Sequence, residues 1–140
     1  MKRAYIDSCI WIARVEGLTT YRKVIDEKLS KLANEEWTFC VSEAVQLEVL
    51  LEPLKKSHDE LVQIYRKIFD ETRMLKIYTS VFKNALLIAQ AENLKGLDAV
   101  HVAIADHYNC KLFVSSDPHF RNLNIQPYWI NLEEQVDVIA

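Results

Sequence analysis

Short apolar runs recur along this chain, each bounded by polar residues. Five of them read as strands: RAYI (residues 3–6), TFCV (38–41), LKIY (75–78), LFVS (112–115) and YWI (128–130). Runs this short, flanked by polar residues, predict strands covered on both faces. Between them the period changes. Over 59–75, apolar residues fall at 61, 64, 65, 68 and 69, and charges at 59, 60, 66, 67, 70, 71 and 73, which predicts an amphipathic surface helix. Further helices are expected over 20–35, 43–52, 80–94 and 97–109, the last two parted by Lys95-Gly96, where glycine is a common helix stop. Strand and helix in alternation predict an α/β domain with a mostly parallel sheet and helices on both faces. No internal repeat, low-complexity segment or domain boundary interrupts the pattern.

In such sheets the functional crevice lies beyond the carboxyl ends of the strands. The stretch YIDSCIWIA (5–13) puts Asp7 directly after the first strand, and Asp117 follows the fourth almost as closely. Both carboxylates then share one edge of the sheet, and converge if the two strands are neighbours. The helix over 97–109 feeds the fourth strand and must descend to its start, which puts Asp98 at the same edge. The helix over 80–94 cannot then simply descend from the third strand; it must cross the top of the sheet or pack at an angle.

Composition narrows the function. A chain of 140 residues, half of them hydrophobic, with two Gly and three Pro, is that of one helix-rich domain rather than a linker or tail. No apolar run approaches the ~18–20 residues of a membrane span, and Asp7, Arg14 and Glu16 break the N-terminal region where a signal peptide needs an apolar core. The expected location is the cytoplasm, with no membrane partner. A net charge of −3 excludes nucleic-acid binding by bulk positive charge, so any such role needs a local site. Cys9, Cys40 and Cys110 are odd in number and far apart, which suggests neither a disulfide framework nor a zinc knuckle but three small buried side chains. Trp11, Trp37 and Trp129 are too scattered to form a base-stacking platform and read as core or interface.

Three ionised carboxylates brought together raise one another's pKa, so a cation should hold them. No Lys or Arg flanks Asp7, Asp98 or Asp117 at an evidently inward position, and oxygen donors suit Mg²⁺ or Mn²⁺ rather than Zn²⁺. Such an ion among carboxylates suits attack on a phosphodiester, and would let an acidic protein bind a polyanion. Taken singly, each acid has a structural reading. Asp7 could cap a helix starting at Ser8, Asp98 could cap after Gly96, and Asp117-Pro118 is a normal turn opening. Three on one edge point to function. His101, one turn after Asp98, could face the site but sits in an apolar helix and reads as packed or hydrogen-bonded within the core; His119 is better placed to meet a phosphate but also reads as a solvated side chain; Asp106 and His107 face outward or touch a partner. A haloacid-dehalogenase-like phosphatase needs an acid where Cys9 stands, a receiver domain needs a Lys that Ser116-Asp117 lacks, and with only Gly17 and Gly96 no Walker loop or GxGxxG exists.

Four stretches, YIDSCIWIA, VSEAVQLEVL (41–50), LKGLDAVHVAIA (94–105) and LFVSSDPHF (112–120), together resemble the PIN-domain family, in particular its VapC-type toxin ribonucleases of toxin–antitoxin pairs. The resemblance spans essentially the whole chain. It implies a three-layer α/β/α fold with a central parallel sheet of four to five strands, as a single PIN domain over residues 1–140. It also implies a Mg²⁺- or Mn²⁺-dependent endoribonuclease in which Asp7, Glu48, Asp98 and Asp117 are the catalytic, metal-ligating acids. Ser8 and Ser116 match the hydroxyl positions that hydrogen-bond the acidic cluster. Glu48 enters through the resemblance: it lies roughly 8 Å along its helix, and the six-residue spacing after Ser42 selects it over Glu43 and Glu52. Its neighbours Leu47, Val49 and Leu50 place that surface near the core. The chain departs from many relatives at His119, where they carry a further acid, and at Cys9, where they carry Asn or Ser. Besides RNA, the implied partners are an antitoxin protein and a second copy of the chain; apolar residues along 20–35 and 59–75 offer the antitoxin modest support, since such stripes are more often core than docking surface. The alternative reading is a PIN-fold binding or scaffold module with little turnover; a DNA nuclease or small-substrate phosphatase ranks third.

Overall fold

In the computed structural model, which describes residues 2–132, the first apolar run forms β1 (Arg3–Ile6). Asp7 ends it with extended backbone, and its carboxylate accepts the Ser8 amide at 2.9 Å, capping α1 (Ser8–Glu16). The chain continues through α2 (Thr19–Asn34), β2 (Thr38–Ser42), α3 (Glu43–Lys55), α4 (Asp59–Asp70), β3 (Arg73–Leu75), α5 (Thr79–Glu92), α6 (Gly96–His107) and β4 (Leu112–Ser115). A 3-10 turn over Pro118–Phe120 and β5 (Pro127–Trp129) follow.

The strands form one parallel sheet in the order β3-β2-β1-β4-β5. From β1 the chain steps outward to β2 and β3, then returns to the other side of β1 for β4 and β5. The boundary between β1 and β4 is therefore the switch point, where the crossovers diverge and leave a crevice above the strand ends. Register aligns Tyr5 with Phe113 and Ile6 with Val114, and the Asp7 amide donates to the Val114 carbonyl at 2.9 Å. Asp7 and the Ser115–Asp117 segment thus emerge side by side.

Ala4, Tyr5, Ile6 and all of β4 are buried, so alternate residues of the central strands meet helices on opposite faces. This is the three-layer α/β/α arrangement that the sequence pattern predicts. Tyr5 stacks on Phe113 with ring centroids 5.4 Å apart. Burial of each large side chain of this kind contributes ~1.5–3 kcal/mol.

Several elements differ from the sequence expectation. The helix expected over 59–75 ends at Asp70, because Thr72 turns back onto the Phe69 carbonyl through both its amide and its hydroxyl. The third strand accordingly lies at Arg73–Leu75 instead of 75–78; it is an edge strand with two of its three residues exposed, and carries little apolar signal. The helix expected over 80–94 packs chiefly on α6. Tyr108 Oη donates to the Lys76 carbonyl at 2.6 Å and the Tyr78 ring lies 5.7 Å from that of His107. So α5 starts beside the end of α6 and runs antiparallel to it, and Asn93, in the left-handed region at φ 52°, closes the hairpin. The apolar residues of α2 and α4 serve mainly as core: Val24, Ile25, Leu29, Leu32, Val62, Tyr65 and Phe69 are buried. Ile64 of α4 is exposed, and further exposed apolar side chains cluster on α3 (Leu47, Leu51, Leu54) and α5 (Phe82, Leu86, Leu87). Cys40 and Cys110 are buried as expected, whereas Cys9 is only partly so. No helix among the described residues is long and apolar enough to cross a membrane.

Candidate active site

The acids arrive at the crevice from four elements. Asp7 caps α1 at the end of β1 and is 5% exposed. Its Oδ1 accepts the Ser8 amide, while its Oδ2 accepts the Ser115 hydroxyl at 2.9 Å and the Cys9 thiol at 3.3 Å. The structural reading of Asp7 as a helix cap is thus met by Oδ1, while Oδ2 is held by Ser115 and Cys9 at the crevice.

Glu48 is the sixth residue of α3, whose start is fixed by Ser42 Oγ accepting the Val45 amide at 3.4 Å. That face leans over the crevice: Val49 and Leu50 are buried, Leu47 is exposed, and Glu48 Oε1 accepts Ser8 Oγ at 3.0 Å and His101 Nε2 at 2.5 Å. Its rivals Glu43 and Glu52 are exposed, Glu52 being paired with Lys56.

Asp98 is the third residue of α6, not its cap, since the helix starts at Gly96 and Lys95 occupies the cap position. A carboxylate in this first turn suits the helix dipole. Asp117 follows β4 and opens the 3-10 turn by accepting the His119 amide at 3.0 Å on Oδ1, which also lies 2.8 Å from His119 Nδ1.

The structure gathers these residues into two adjoining groups. Ligand atoms of Asp7, Glu48 and His101 lie within 4.8 Å of one another, as do those of Asp98, Asp117 and His119. The groups sense each other. The Asp98 carboxyl is raised above the usual range, first by burial and then by the charges of Asp117, Asp7 and Glu48, with His101 opposing. Burial likewise raises Asp7, and Glu48 adds to it, against His101, Ser115 and Cys9. Burial also pushes Glu48 up, but the hydrogen bond and charge of His101 and the Ser8 bond outweigh it, so Glu48 is held low and ionised. Among the described residues the ion-pair partners of these acids are histidines, never Lys or Arg. A carboxylate-rich set in which Asp7 and Asp98 are raised by burial and by neighbouring charge fits a hard divalent cation, which would relieve the repulsion.

The two serines named from sequence sit differently. Ser8 Oγ bonds Glu48 directly. Ser116 Oγ instead donates to Cys9 Sγ at 3.2 Å, and it is Ser115 that bonds Asp7 and also accepts the Asp117 amide at 3.0 Å. The Cys9 thiol is pushed up to about 11, by burial and then by the Asp7 charge, so it is a neutral hydrogen-bonding group, not a nucleophile. Sequence reasoning missed Ser115; it read His101 as packed or hydrogen-bonded in the core, as it is, but did not anticipate its bond to Glu48. The three-residue step from Asp98 to His101, which puts both on one helix face, is the signal by which His101 could face the site.

The PIN domain family model matches residues 4–126 of this chain. The fold is similar to that in VapBC2 of Rickettsia felis bound to a promoter DNA fragment, with a TM-score of 0.74 and 13% identity over 90% of this chain and 97% of that one. It is also similar to a toxin–antitoxin complex of Klebsiella pneumoniae (TM-score 0.70, 22% identity, 91% and 99% covered) and to DNA-bound VapBC of Salmonella typhimurium (0.69, 12%, 91% and 98%). No curated protein matches the sequence. A family match running from β1 to the start of β5, on a fold whose switch point gathers the acids, means that this chain belongs to the PIN-domain family.

Proposed function

We propose that this protein is a divalent-metal-dependent endoribonuclease, the VapC-type toxin of a toxin–antitoxin pair, working in the cytoplasm as a single PIN domain over residues 1–140. The observation that carries this reading is the convergence of Asp7, Glu48, Asp98 and Asp117 on the β1/β4 switch point, with Asp7 and Asp98 raised by burial and by their neighbours' charge. Asp7 and Glu48 would hold the cation on the buried side, Asp98 and Asp117 on the open side. A bound Mg²⁺ or Mn²⁺ supplies a more acidic water and neutralises charge on the phosphate under attack. The protein's own groups do the rest: Ser115 and Cys9 fix Asp7, Ser8 and His101 fix Glu48, and His119, 71% exposed beside Asp117, is placed to meet a substrate phosphate.

RNA as substrate rests on the resemblance to toxin ribonucleases. An antitoxin partner is supported by likeness to proteins solved as toxin–antitoxin complexes, and a homodimer is part of the proposal on the sequence resemblance alone. The apolar surface on α3 and α5 is available to such partners. The test is cleavage of labelled single-stranded RNA and matched DNA by the purified protein, with Mg²⁺, with Mn²⁺ and with EDTA. Metal-dependent cutting of RNA alone is expected. Equal cutting of DNA would replace the substrate, and Mn²⁺ binding without cutting of either would favour a binding module.

A further inference from the structure

Behind the acids runs a buried polar chain with an evident geometry. Ser42, Tyr5 and His101 are 0%, 0% and 1% exposed and come from three elements, β2, β1 and α6. Tyr5 Oη lies 2.8 Å from Ser42 Oγ and 2.6 Å from His101 Nδ1, and His101 Nε2 lies 2.5 Å from Glu48 Oε1. Burying a hydroxyl, a phenol and an imidazole is costly unless each is bonded, and Phe, Ala and Leu would fill the same space without that demand. The chain ends on a carboxylate, which only accepts, so Nε2 carries the hydrogen and donates. At the other side of the ring Nδ1 is engaged by Tyr5, so the imidazole cannot turn without losing both bonds. Ser8 and His101 both bond Oε1 of Glu48, which leaves Oε2 for another ligand.

We propose that His101, braced by Tyr5 and Ser42, is a positioning residue that fixes the Glu48 carboxylate for cation binding. The affinity of the site for metal is thereby set from the core of the domain. Glu48 needs such support more than Asp7 and Asp117 do. Asp7 and Asp117 sit at strand ends on short side chains that bond neighbouring amides, whereas Glu48 stands midway along a helix on a longer one. This inference rests on the metal-dependent reading above.

The test is Mn²⁺ affinity of the full chain, by calorimetric or EPR titration, for wild type, Tyr5→Phe, His101→Gln, His101→Leu, Glu48→Gln and the double variant His101→Leu/Glu48→Gln. His101→Leu is expected to weaken binding roughly 10–100-fold, the range for loss of a ligand's supporting hydrogen bond. Tyr5→Phe keeps the ring on Phe113, so it leaves the packing intact and is expected to weaken binding about several-fold through the lost bonds to His101 and Ser42. The amide of His101→Gln still reaches toward Glu48 and should recover most of the affinity. If His101 acts through Glu48, the double variant binds no worse than the weaker single one; a merely structural role makes the losses add. Unchanged affinity in Tyr5→Phe and His101→Leu, or additive losses, overturns the proposal, and Tyr5→Phe decides the matter should His101→Leu fail to fold. RNA cleavage is scored separately: the expected affinity pattern without cleavage upholds the role of His101 and overturns the nuclease reading alone.

Discussion

Replacing Asp98 by Asn should reverse the order of stability between wild type and variant according to whether metal is present. Asp98 and Asp117 present ligand atoms within 4.8 Å of each other. Two unit charges at that separation repel by about 3 kcal/mol at an effective dielectric of 20. Partial exposure and the His119 partner of Asp117 screen this, so about 1 kcal/mol of relief is expected in the variant without metal. For a domain of this size that raises Tm by roughly 4 °C. The pH dependence follows from the direction of the shift. The folded carboxyl is raised above its unfolded value, so the unfolded chain releases the proton first, and the metal-free fold loses stability as pH rises from the unfolded value through the folded one. Below the ordinary carboxylate range of ~4 the gap between the proteins should therefore close. With Mn²⁺ at a hundred times its Kd, wild type gains about 2.7 kcal/mol by linkage, and the variant should lose most of that gain. Thermal unfolding followed by circular dichroism, in EDTA and in Mn²⁺, reads both effects. An Asp98→Asn protein less stable than wild type in EDTA, or equally stabilised by Mn²⁺, would refute the reasoning.

Two further predictions concern the groups around Asp7. Ser115→Ala removes the donor to Asp7 Oδ2 and the acceptor of the Asp117 amide, so it should cost ~1–3 kcal/mol of stability and about tenfold in Mn²⁺ affinity, read by denaturant unfolding and titration; a variant unchanged in both would show that Asp7 is held by other contacts. Because the Cys9 thiol is raised to about 11, iodoacetamide at pH 7 should leave activity intact over hours, and Cys9→Ser should cleave within a few-fold of wild type; rapid inactivation by the reagent would contradict the assigned protonation state.

How far the sequence disclosed this molecule depends on the strength of each physical signal. The central strands were legible because a strand covered on both faces needs an unbroken apolar run, and RAYI, TFCV and LFVS supply one. The edge strand β3, mostly exposed, carries no such run and was misplaced. Asp7 and Asp117 could be located because an acid at the end of a buried strand has few places to go. Asp98 followed from the direction of a single helix. Glu48 had no comparable signal, since a glutamate within a helix is ordinarily solvated, and only the family resemblance singled it out. The exchange of Ser115 for Ser116 reflects a period of two: neighbouring strand residues point to opposite faces, and sequence does not say which faces the acids. His101 lay in plain view as an apolar-helix histidine, but its bonds to Tyr5 and Glu48 join residues 96 and 53 positions apart, beyond any local pattern.

The most direct measurement of the central claim is single-turnover cleavage of labelled RNA by wild type and Asp7→Asn in saturating Mg²⁺ or Mn²⁺. Asn retains an oxygen that can accept the Ser8 amide and so keeps the helix cap, while one negative charge leaves the buried side of the site. The account predicts wild-type cleavage abolished by EDTA, and a folded Asp7→Asn protein with no detectable cleavage. Asp7→Asn cutting RNA at the wild-type rate would contradict it.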